Sequence, residues 1–250
     1  MFEGVFPALI TPFNADNRID VTSFRNIVEY VEKGGVAGMV ACGTTGESAT
    51  MSTQEHMDLI DLTVDCAKTT VIAGTGSNNT TEAVELTRHA YDAGANAVLI
   101  ISPYYNKPNN AGLIAHFSSI ARSADIPVIL YNVPSRTGQD MPLEVITELS
   151  KIENIVGIKE ASGNPVKVSR IIENTVDEDF VVISGEDGLT LPLMCMGAVG
   201  VISVVANVVP EKMVDLVTAV RNNDLKTAQA LHYELAPLTR ALFLETNPIP

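Results

Sequence analysis

Short apolar runs alternate along the chain with segments of helical periodicity, and this alternation restricts the possible folds more than any other feature. The runs are rich in Val, Ile and Ala and nearly continuous, which is typical of parallel strands buried on both faces. There are eight of them: Gly4–Ile10, Gly38–Ala41, Val71–Ala73, Ala97–Ile101, Val128–Tyr131, Ile155–Ile158, Phe180–Ile183 and Val199–Val204. Strict alternation of strands and helices predicts a parallel sheet with right-handed crossovers.

The clearest amphipathic helices are predicted over Val21–Lys33, Thr53–Lys68 and Thr80–Ala93. Apolar residues recur on one side of each segment at helical spacing, as expected for helices that pack against a sheet. Ser52 precedes Glu55 at the spacing of a capping box, which marks the start of the second helix. About eight such helical segments separate the eight strands.

Eight strand-and-helix units in 250 residues match the usual size of a (β/α)8 barrel. No linker rich in Gly, Ser or charge divides the chain, so we predict one α/β barrel domain, a TIM barrel, over residues 1–250. The alternative is a doubly wound open sheet. That fold usually carries a glycine-rich dinucleotide loop after its first strand, and Ile10–Asn14 is not one.

Charge and composition exclude several classes of protein. The chain has 16 Lys and Arg residues against 30 Asp and Glu, a net charge of -14, so we expect no nucleic-acid partner. The mean hydropathy is +0.20, but no apolar run approaches the roughly 20 residues that cross a bilayer. The N-terminus lacks the features of a signal peptide, and three scattered cysteines do not form a disulfide framework. We therefore predict a cytoplasmic protein, without a metal because no His or Cys spacing matches a site.

Lys159 is the most informative polar residue. In a barrel, the chemistry lies at the C-terminal ends of the strands, and of the eight lysines only Lys159 directly continues an apolar strand. Loss of hydration there favours the neutral amine, which can attack a ketone and form a Schiff base. The alternative is a lysine whose ammonium reaches solvent or pairs with Glu160.

Hydroxyl groups and an arginine follow other strands. Tyr131 and Thr44 can supply the proton transfers of Schiff-base chemistry, although a tyrosine at a strand end is often a core residue. The turn Gly43–Gly46 presents backbone N–H groups beside two hydroxyls and suits a small carboxylate, unless it is only a helix-capping turn. Arg136 can bind a second carboxylate, or it is an ordinary surface arginine.

Five motifs lie at these strand ends and at the end of the chain. They are Gly43–Ser48 (GTTGES), Pro103–Asn106 (PYYN), Tyr131–Gly138 (YNVPSRTG), Gly157–Ala161 (GIKEA) and Asn247–Pro250 (NPIP). In order and spacing, the chain from Gly4 to Pro250 resembles the dihydrodipicolinate synthase family of pyruvate-dependent class I aldolase barrels. The resemblance implies a lyase that uses no cofactor and condenses pyruvate with L-aspartate 4-semialdehyde in lysine and diaminopimelate biosynthesis.

The resemblance also implies a role for each site residue. Lys159 forms the Schiff base with pyruvate, and a proton relay consists of Tyr131, Thr44 and Tyr105, the last reaching into the site of a neighbouring subunit. The remaining substrate-binding positions are Thr45, Gly185 and Ile202 at the pyruvate carboxylate and Arg136 at the carboxylate of the semialdehyde. A homodimer or homotetramer is therefore expected.

Two alternatives remain at this stage. One is another pyruvate-dependent aldolase, such as an N-acetylneuraminate lyase or a 2-keto-3-deoxy sugar-acid aldolase. Arg136 favours a synthase, because the similar lyases usually differ at that position. The other is a barrel that retains the pocket with little or no catalytic activity.

Inhibition by L-lysine at a site between subunits is common in the family. The positions that match this site are Ser48, Ala49, His56, Asn78, Glu82 and Tyr104. Thr53 stands where lysine-sensitive enterobacterial relatives carry a histidine, and Asn78 and Glu82 also suit a helix cap and a first-turn acid. Relatives continue into further helices after the NPIP motif, so we expect the family's C-terminal helical region to be absent from residues 1–250.

Overall fold

The structure, a computed structural model, describes residues 2–250. Eight parallel strands form one sheet in the order β1-β8-β7-β6-β5-β4-β3-β2. They are β1 (Gly4–Pro7), β2 (Gly38–Ala41), β3 (Thr70–Gly74), β4 (Ala97–Ile101), β5 (Val128–Asn132), β6 (Ile155–Glu160), β7 (Val181–Ser184) and β8 (Gly200–Ser203). All eight predicted strands are confirmed, two of them with the predicted bounds and the others with ends that shift by at most three residues.

The sheet closes on itself through its first strand. Gly4 of β1 is in register with Gly200 of β8, and on the other side Ala8 forms a parallel bridge with Val40 of β2. The strand β1 ends at Pro7 rather than at the predicted Ile10, because Ala8 keeps only an isolated bridge to Val40 and Ile10 is exposed. The prediction of a (β/α)8 barrel is confirmed, and the open-sheet alternative is wrong.

Helices alternate with the strands throughout the described residues. They are α1 (Val21–Lys33), α2 (Thr53–Cys66), α3 (Thr80–Ala93), α4 (Asn110–Ala121), α5 (Pro134–Thr137), α6 (Leu143–Leu149), α7 (Pro165–Asn174), α8 (Thr190–Cys195), α9 (Pro210–Arg221) and α10 (Leu225–Ala241). The predicted bounds of α1 and α3 are confirmed. The helix α2 ends two residues before the predicted Lys68, because Ala67 takes an extended conformation. Its capping box between Ser52 and Glu55 is present.

Side chains on each strand alternate between two apolar cores. One set fills the barrel interior and includes Val40, Ile129 and Ile183, while the other packs between the strands and the helices and includes Ile158 and Leu130. This period of two fixes the direction of the polar residues at the strand ends. Because Ile158 packs outward, Lys159 faces the barrel interior and Glu160 faces outward.

Within residues 2–250, no helix is long and apolar enough to cross a bilayer. The same residues contain no group of three or more His, Cys, Asp or Glu side chains arranged to hold a metal ion.

Candidate active site

Lys159 lies at the C-terminal end of β6 with only 7% of its surface exposed. Its ammonium nitrogen Nζ lies 4.2 Å from the centroid of the Tyr131 ring, since the two residues occupy neighbouring positions on β5 and β6. Among the described residues, Nζ makes no hydrogen bond or ion pair, so the predicted alternative of pairing with Glu160 is wrong. The amine is thus buried, unpaired and directed into the barrel.

The turn after β2 lies beside this amine. The Thr11 hydroxyl donates a hydrogen bond to the Gly46 carbonyl, and the Gly46 N–H donates to the Gly43 carbonyl, so the turn is held at both ends. No acceptor within residues 2–250 takes the N–H groups of Thr44 and Thr45. Two free amides beside two hydroxyls form a small pocket of donors, which suits a carboxylate.

Two adjoining cavities open at this end of the barrel. The first, of about 340 Å³, is lined by Thr44, Tyr131, Arg136 and Lys159 together with residues of the β2 and β3 ends. The second, of about 490 Å³, shares those four residues. It is also lined by Thr45, Gly185, Glu186, Ile202 and residues 243–247. The structure therefore brings together every predicted catalytic and substrate-binding residue except Tyr105.

Tyr105 lies outside both cavities. It is 89% exposed, and its φ of 70° is a left-handed conformation that is uncommon for a bulky residue. The neighbouring Asn78 side chain donates to the Tyr104 carbonyl, and Asn106 donates to the Asn78 carbonyl, which fixes this loop. Tyr105 is consequently held away from the barrel that carries it.

Arg136 and Thr45 are linked by Asn247, a residue to which the sequence argument gave no role. An Arg136 guanidinium N–H donates to the Asn247 carbonyl oxygen at 2.7 Å, and the Asn247 amide donates to the Thr45 hydroxyl oxygen at 2.9 Å. Asn247 is buried, with 7% exposed surface. Because Thr45 Oγ1 accepts this bond, its own hydrogen remains free for a ligand.

Asp187 organises the end of β8 behind the second cavity. Its carboxylate accepts hydrogen bonds from the Ser203 hydroxyl at 2.5 Å and from the Val204 N–H at 2.9 Å. Burial raises the pKa of Asp187, while these hydrogen bonds and the charge of Lys159 act in the opposite direction. Ile202, one of the predicted pocket residues, directly precedes this anchored turn and is buried.

A second polar network lies on the outer side of β5 and β6. The Asn132 side chain donates to the buried Glu160 carboxylate at 3.0 Å and accepts a hydrogen bond from the Met141 N–H. Lys167 contacts Asp140 and lies 4.0 Å from Glu160. Asn132 and Glu160 are the neighbours of Tyr131 and Lys159 in sequence, so this network fixes the backbone that carries both.

Five of the six positions matched to the lysine site line the first cavity. They are Ser48, Ala49, His56, Glu82 and Tyr104, whereas Asn78 is a neighbour that binds the Tyr104 carbonyl. The His56 ring lies 2.6 Å from the Gly74 carbonyl oxygen, and burial lowers its pKa. Glu82 accepts a hydrogen bond from Ser77, so two of these polar groups already have protein partners.

Sequence reasoning missed Asn247 and Glu186 among the residues that line the cavity. Asn247 belongs to the NPIP motif, so the sequence drew attention to this residue without indicating its role. Glu186 directly follows Gly185 at the end of β7, and this position at the end of a strand was the available signal. Asn247 reaches the cavity through contacts with distant residues, which local sequence patterns do not encode.

The sequence model of the dihydrodipicolinate synthetase family matches residues 1–250. The chain belongs to this family. The 4-hydroxy-tetrahydrodipicolinate synthase of Methanosarcina mazei is 66% identical over 250 residues, which are 100% of this chain and 86% of that protein. The enzyme of the same name from Methanococcoides burtonii is 67% identical, again over 100% of this chain and 86% of the relative.

Solved structures of the family superpose closely on the barrel. The chloride-inhibited dihydrodipicolinate synthase from Acinetobacter baumannii, complexed with pyruvate, has a TM-score of 0.97 at 40% identity, covering 100% of this chain and 86% of that one. The enzyme from Cyanidioschyzon merolae with lysine bound has a TM-score of 0.95 at 38% identity, with the same coverage.

Proposed function

We propose that this protein is a 4-hydroxy-tetrahydrodipicolinate synthase, which condenses pyruvate with L-aspartate 4-semialdehyde in the cytoplasm, and that residues 1–250 act as one barrel domain. The observation that carries the proposal is the buried, unpaired Lys159 amine, which shares a cavity with the donor groups of Thr44 and Thr45 and with Arg136. One cation and one set of donors thus flank the nucleophile, as two carboxylate-bearing substrates require.

The reaction begins when the neutral Lys159 amine attacks the ketone carbon of pyruvate, whose carboxylate is held by the donors of Thr44 and Thr45. The carbinolamine loses water to give an imine, with Tyr131 and Thr44 moving the protons. Loss of a methyl proton converts the imine to an enamine. Its carbon then forms a bond with the aldehyde carbon of the second substrate, whose carboxylate binds Arg136.

Ring closure returns the enzyme to its starting state. The ammonium of the former semialdehyde first loses a proton to solvent. The resulting amine attacks the imine carbon and passes a proton to the lysine nitrogen, and the bond to Lys159 breaks so that the lysine leaves as a neutral amine. The imine itself acts as the electron sink for carbon–carbon bond formation, so no step needs a metal or an organic cofactor.

We further infer a homodimer or homotetramer in which Tyr105 completes the proton relay of a neighbouring subunit. Tyr105 is 89% exposed, and its backbone lies in the left-handed region, which costs free energy for a bulky residue. Both features support this role, because contact with a second subunit would bury the side chain and give the strained conformation a function.

Inhibition by L-lysine is part of the same proposal. The Cyanidioschyzon merolae relative has lysine bound, and here the matched residues Ser48, His56, Glu82 and Tyr104 line the first cavity. Thr53, in place of the enterobacterial histidine, predicts weaker inhibition than in those relatives.

Borohydride reduction in the presence of pyruvate tests the proposal. The intact protein should gain the mass of one reduced pyruvate imine, located at Lys159 by peptide mass spectrometry. Lys159→Ala should gain none, whereas Lys151→Ala, on an exposed lysine, should be trapped like the unmutated protein. No adduct in the unmutated protein would refute the Schiff-base mechanism. If the protein is trapped with pyruvate but turns over only sugar acids, it is instead a different pyruvate-dependent aldolase.

A further inference from the structure

Glu186 lines the larger cavity together with Lys159 and Arg136, the two basic residues that the proposed mechanism uses. It follows β7 between Gly185 and Asp187, and the cavity it lines is the one that holds Lys159 and Arg136. Its backbone is held on both sides, since its N–H donates to the Ser184 hydroxyl oxygen and its carbonyl accepts from the same hydroxyl at 2.9 Å. The position of Glu186 is therefore set by buried Ser184 and does not depend on its carboxylate.

The Glu186 carboxylate has no partner of its own within residues 2–250. It accepts no hydrogen bond there and lies beyond 4.0 Å from every Lys and Arg nitrogen, including those of Lys159 and Arg136. Burial and the neighbouring Asp187 raise the pKa of Glu186, while the charges of Lys159 and Arg136 counteract that shift. A half-buried carboxylate without a partner carries a desolvation cost that a cationic ligand would offset.

Neither of the other nearby acidic residues offers the same group. The Asp187 carboxylate is already bonded to Ser203, Val204 and Val205. Glu245 lines the cavity but is exposed to solvent, where a single ion pair contributes little. Glu186 is the acidic group of this cavity that is both sheltered and unpaired.

We propose that Glu186 is a specificity-determining residue that binds the ammonium group of the aldehyde substrate. This inference rests on the proposed function. L-aspartate 4-semialdehyde carries one carboxylate and one ammonium on the same carbon, and the cavity presents one guanidinium and one carboxylate that do not neutralise each other. Arg136 binds the substrate carboxylate and Glu186 its ammonium, so the pair selects a zwitterion over an aldehyde that carries only negative charge.

Steady-state kinetics with Glu186→Gln test the inference. Because a charge-assisted hydrogen bond to the ammonium is lost, the KM for L-aspartate 4-semialdehyde should rise about tenfold or more. The KM for pyruvate and the yield of borohydride trapping should not change. Succinic semialdehyde, which has the same aldehyde and carboxylate but no ammonium, should compete with the substrate as well as before or better. Glu173→Gln, on the exposed face of α7, is the control for loss of one negative charge.

Two outcomes would overturn the assignment. One is an unchanged KM for L-aspartate 4-semialdehyde in Glu186→Gln. The other is an equal loss of binding for succinic semialdehyde, which would indicate that the substitution displaces the loop after β7. Should Glu186→Gln fail to fold, Glu186→Ser serves for the same comparison, with pyruvate trapping as its test of folding. Failure of the proposed function is distinct, because the unmutated protein would then form neither adduct nor product.

Discussion

Gly185 limits where the Lys159 side chain can lie. A Cβ atom at position 185 would be 2.7 Å from the Ala161 Cβ, 3.1 Å from the Lys159 Cε and 3.2 Å from the Glu160 carbonyl oxygen. The absence of a side chain at this position is thus a condition for the observed path of the lysine. Gly185 also lines the second cavity, so the lack of a side chain there affects both the position of the Lys159 side chain and the space in front of it.

We expect Gly185→Ala to lower kcat by about a hundredfold, because a displacement of the nucleophile by an ångström is costly to a covalent reaction. The crowding should also reduce the free energy of unfolding by about 1–3 kcal/mol. Gly188→Ala is the matched control, since a Cβ there makes only an ordinary 3.9 Å contact with Thr239. Comparable kinetics for the two variants would contradict this account.

Asn247 affects binding through Thr45. We expect Asn247→Ala to raise the KM for pyruvate by about three- to tenfold, because a typical hydrogen bond contributes about 1 kcal/mol and the Thr45 hydroxyl would lose its fixed orientation. The carbonyl that binds Arg136 belongs to the backbone and is kept, so the KM for the semialdehyde should change less. Initial-rate measurements with each substrate varied in turn separate the two effects. A larger effect on the semialdehyde would show that Asn247 acts elsewhere.

Elements whose signals are local could be predicted from the sequence. The eight strands and the helices α1 and α3 follow from apolar periodicity and capping residues, and Lys159 was found because it interrupts such a pattern. Contacts between distant elements could not be predicted. Asn247 meets Arg136 and Thr45 from positions 111 and 202 residues away, and the unpaired state of Glu186 depends on how β7, β6 and α5 are placed around one cavity.

The packing of α4 against α3 contains a buried histidine. His116 of α4 accepts from, or donates to, the Thr80 hydroxyl at 2.8 Å through Nδ1, while its Nε2 has no partner among the described residues. Burial lowers the pKa of His116 to about 4 from its usual 6.5. The helix pair therefore buries a neutral ring that resists protonation.

This makes stability dependent on pH. Below pH 6.5 the unfolded chain binds a proton that folded His116 does not, so the free energy of unfolding decreases, by about 3 kcal/mol at pH 4. The contribution is complete above pH 6.5 and declines as the pH falls toward 4. When unfolding by urea is measured between pH 6.5 and pH 4, the free energy of unfolding should decrease less in His116→Gln than in the unmutated protein. His232→Gln, on α10, should follow the unmutated protein, and parallel curves for His116→Gln would refute the prediction.

At the scale of the whole molecule, the proposed sharing of Tyr105 between subunits predicts that two inactive variants can complement each other. Lys159→Ala and Tyr105→Phe should each be nearly inactive alone. Refolded together at equal amounts, they should recover about a quarter of the activity, because half of the pairs are mixed and each mixed pair holds one complete site.

The matched control combines Lys159→Ala with Thr44→Val. Both residues lie in the same barrel, so no mixed pair holds a complete site and activity should stay low. Recovery in the control, or none in the first mixture, would contradict sharing of Tyr105. Native mass spectrometry on the same samples, with one variant labelled with heavy isotopes, verifies that mixed pairs form.

Closure of the barrel, by the pairing of β1 with β8 and by the bridge between Ala8 and Val40 of β2, also governs how the protein can be made. Translation delivers the N-terminal strand first, yet one of its edges stays unpaired until residues 200–203 have left the ribosome. Unpaired strand edges promote association between chains. The nascent barrel must therefore keep the free edge of β1 protected until β8 has been synthesised, and the active site, which includes Ile202 and Asn247, is completed only after that strand.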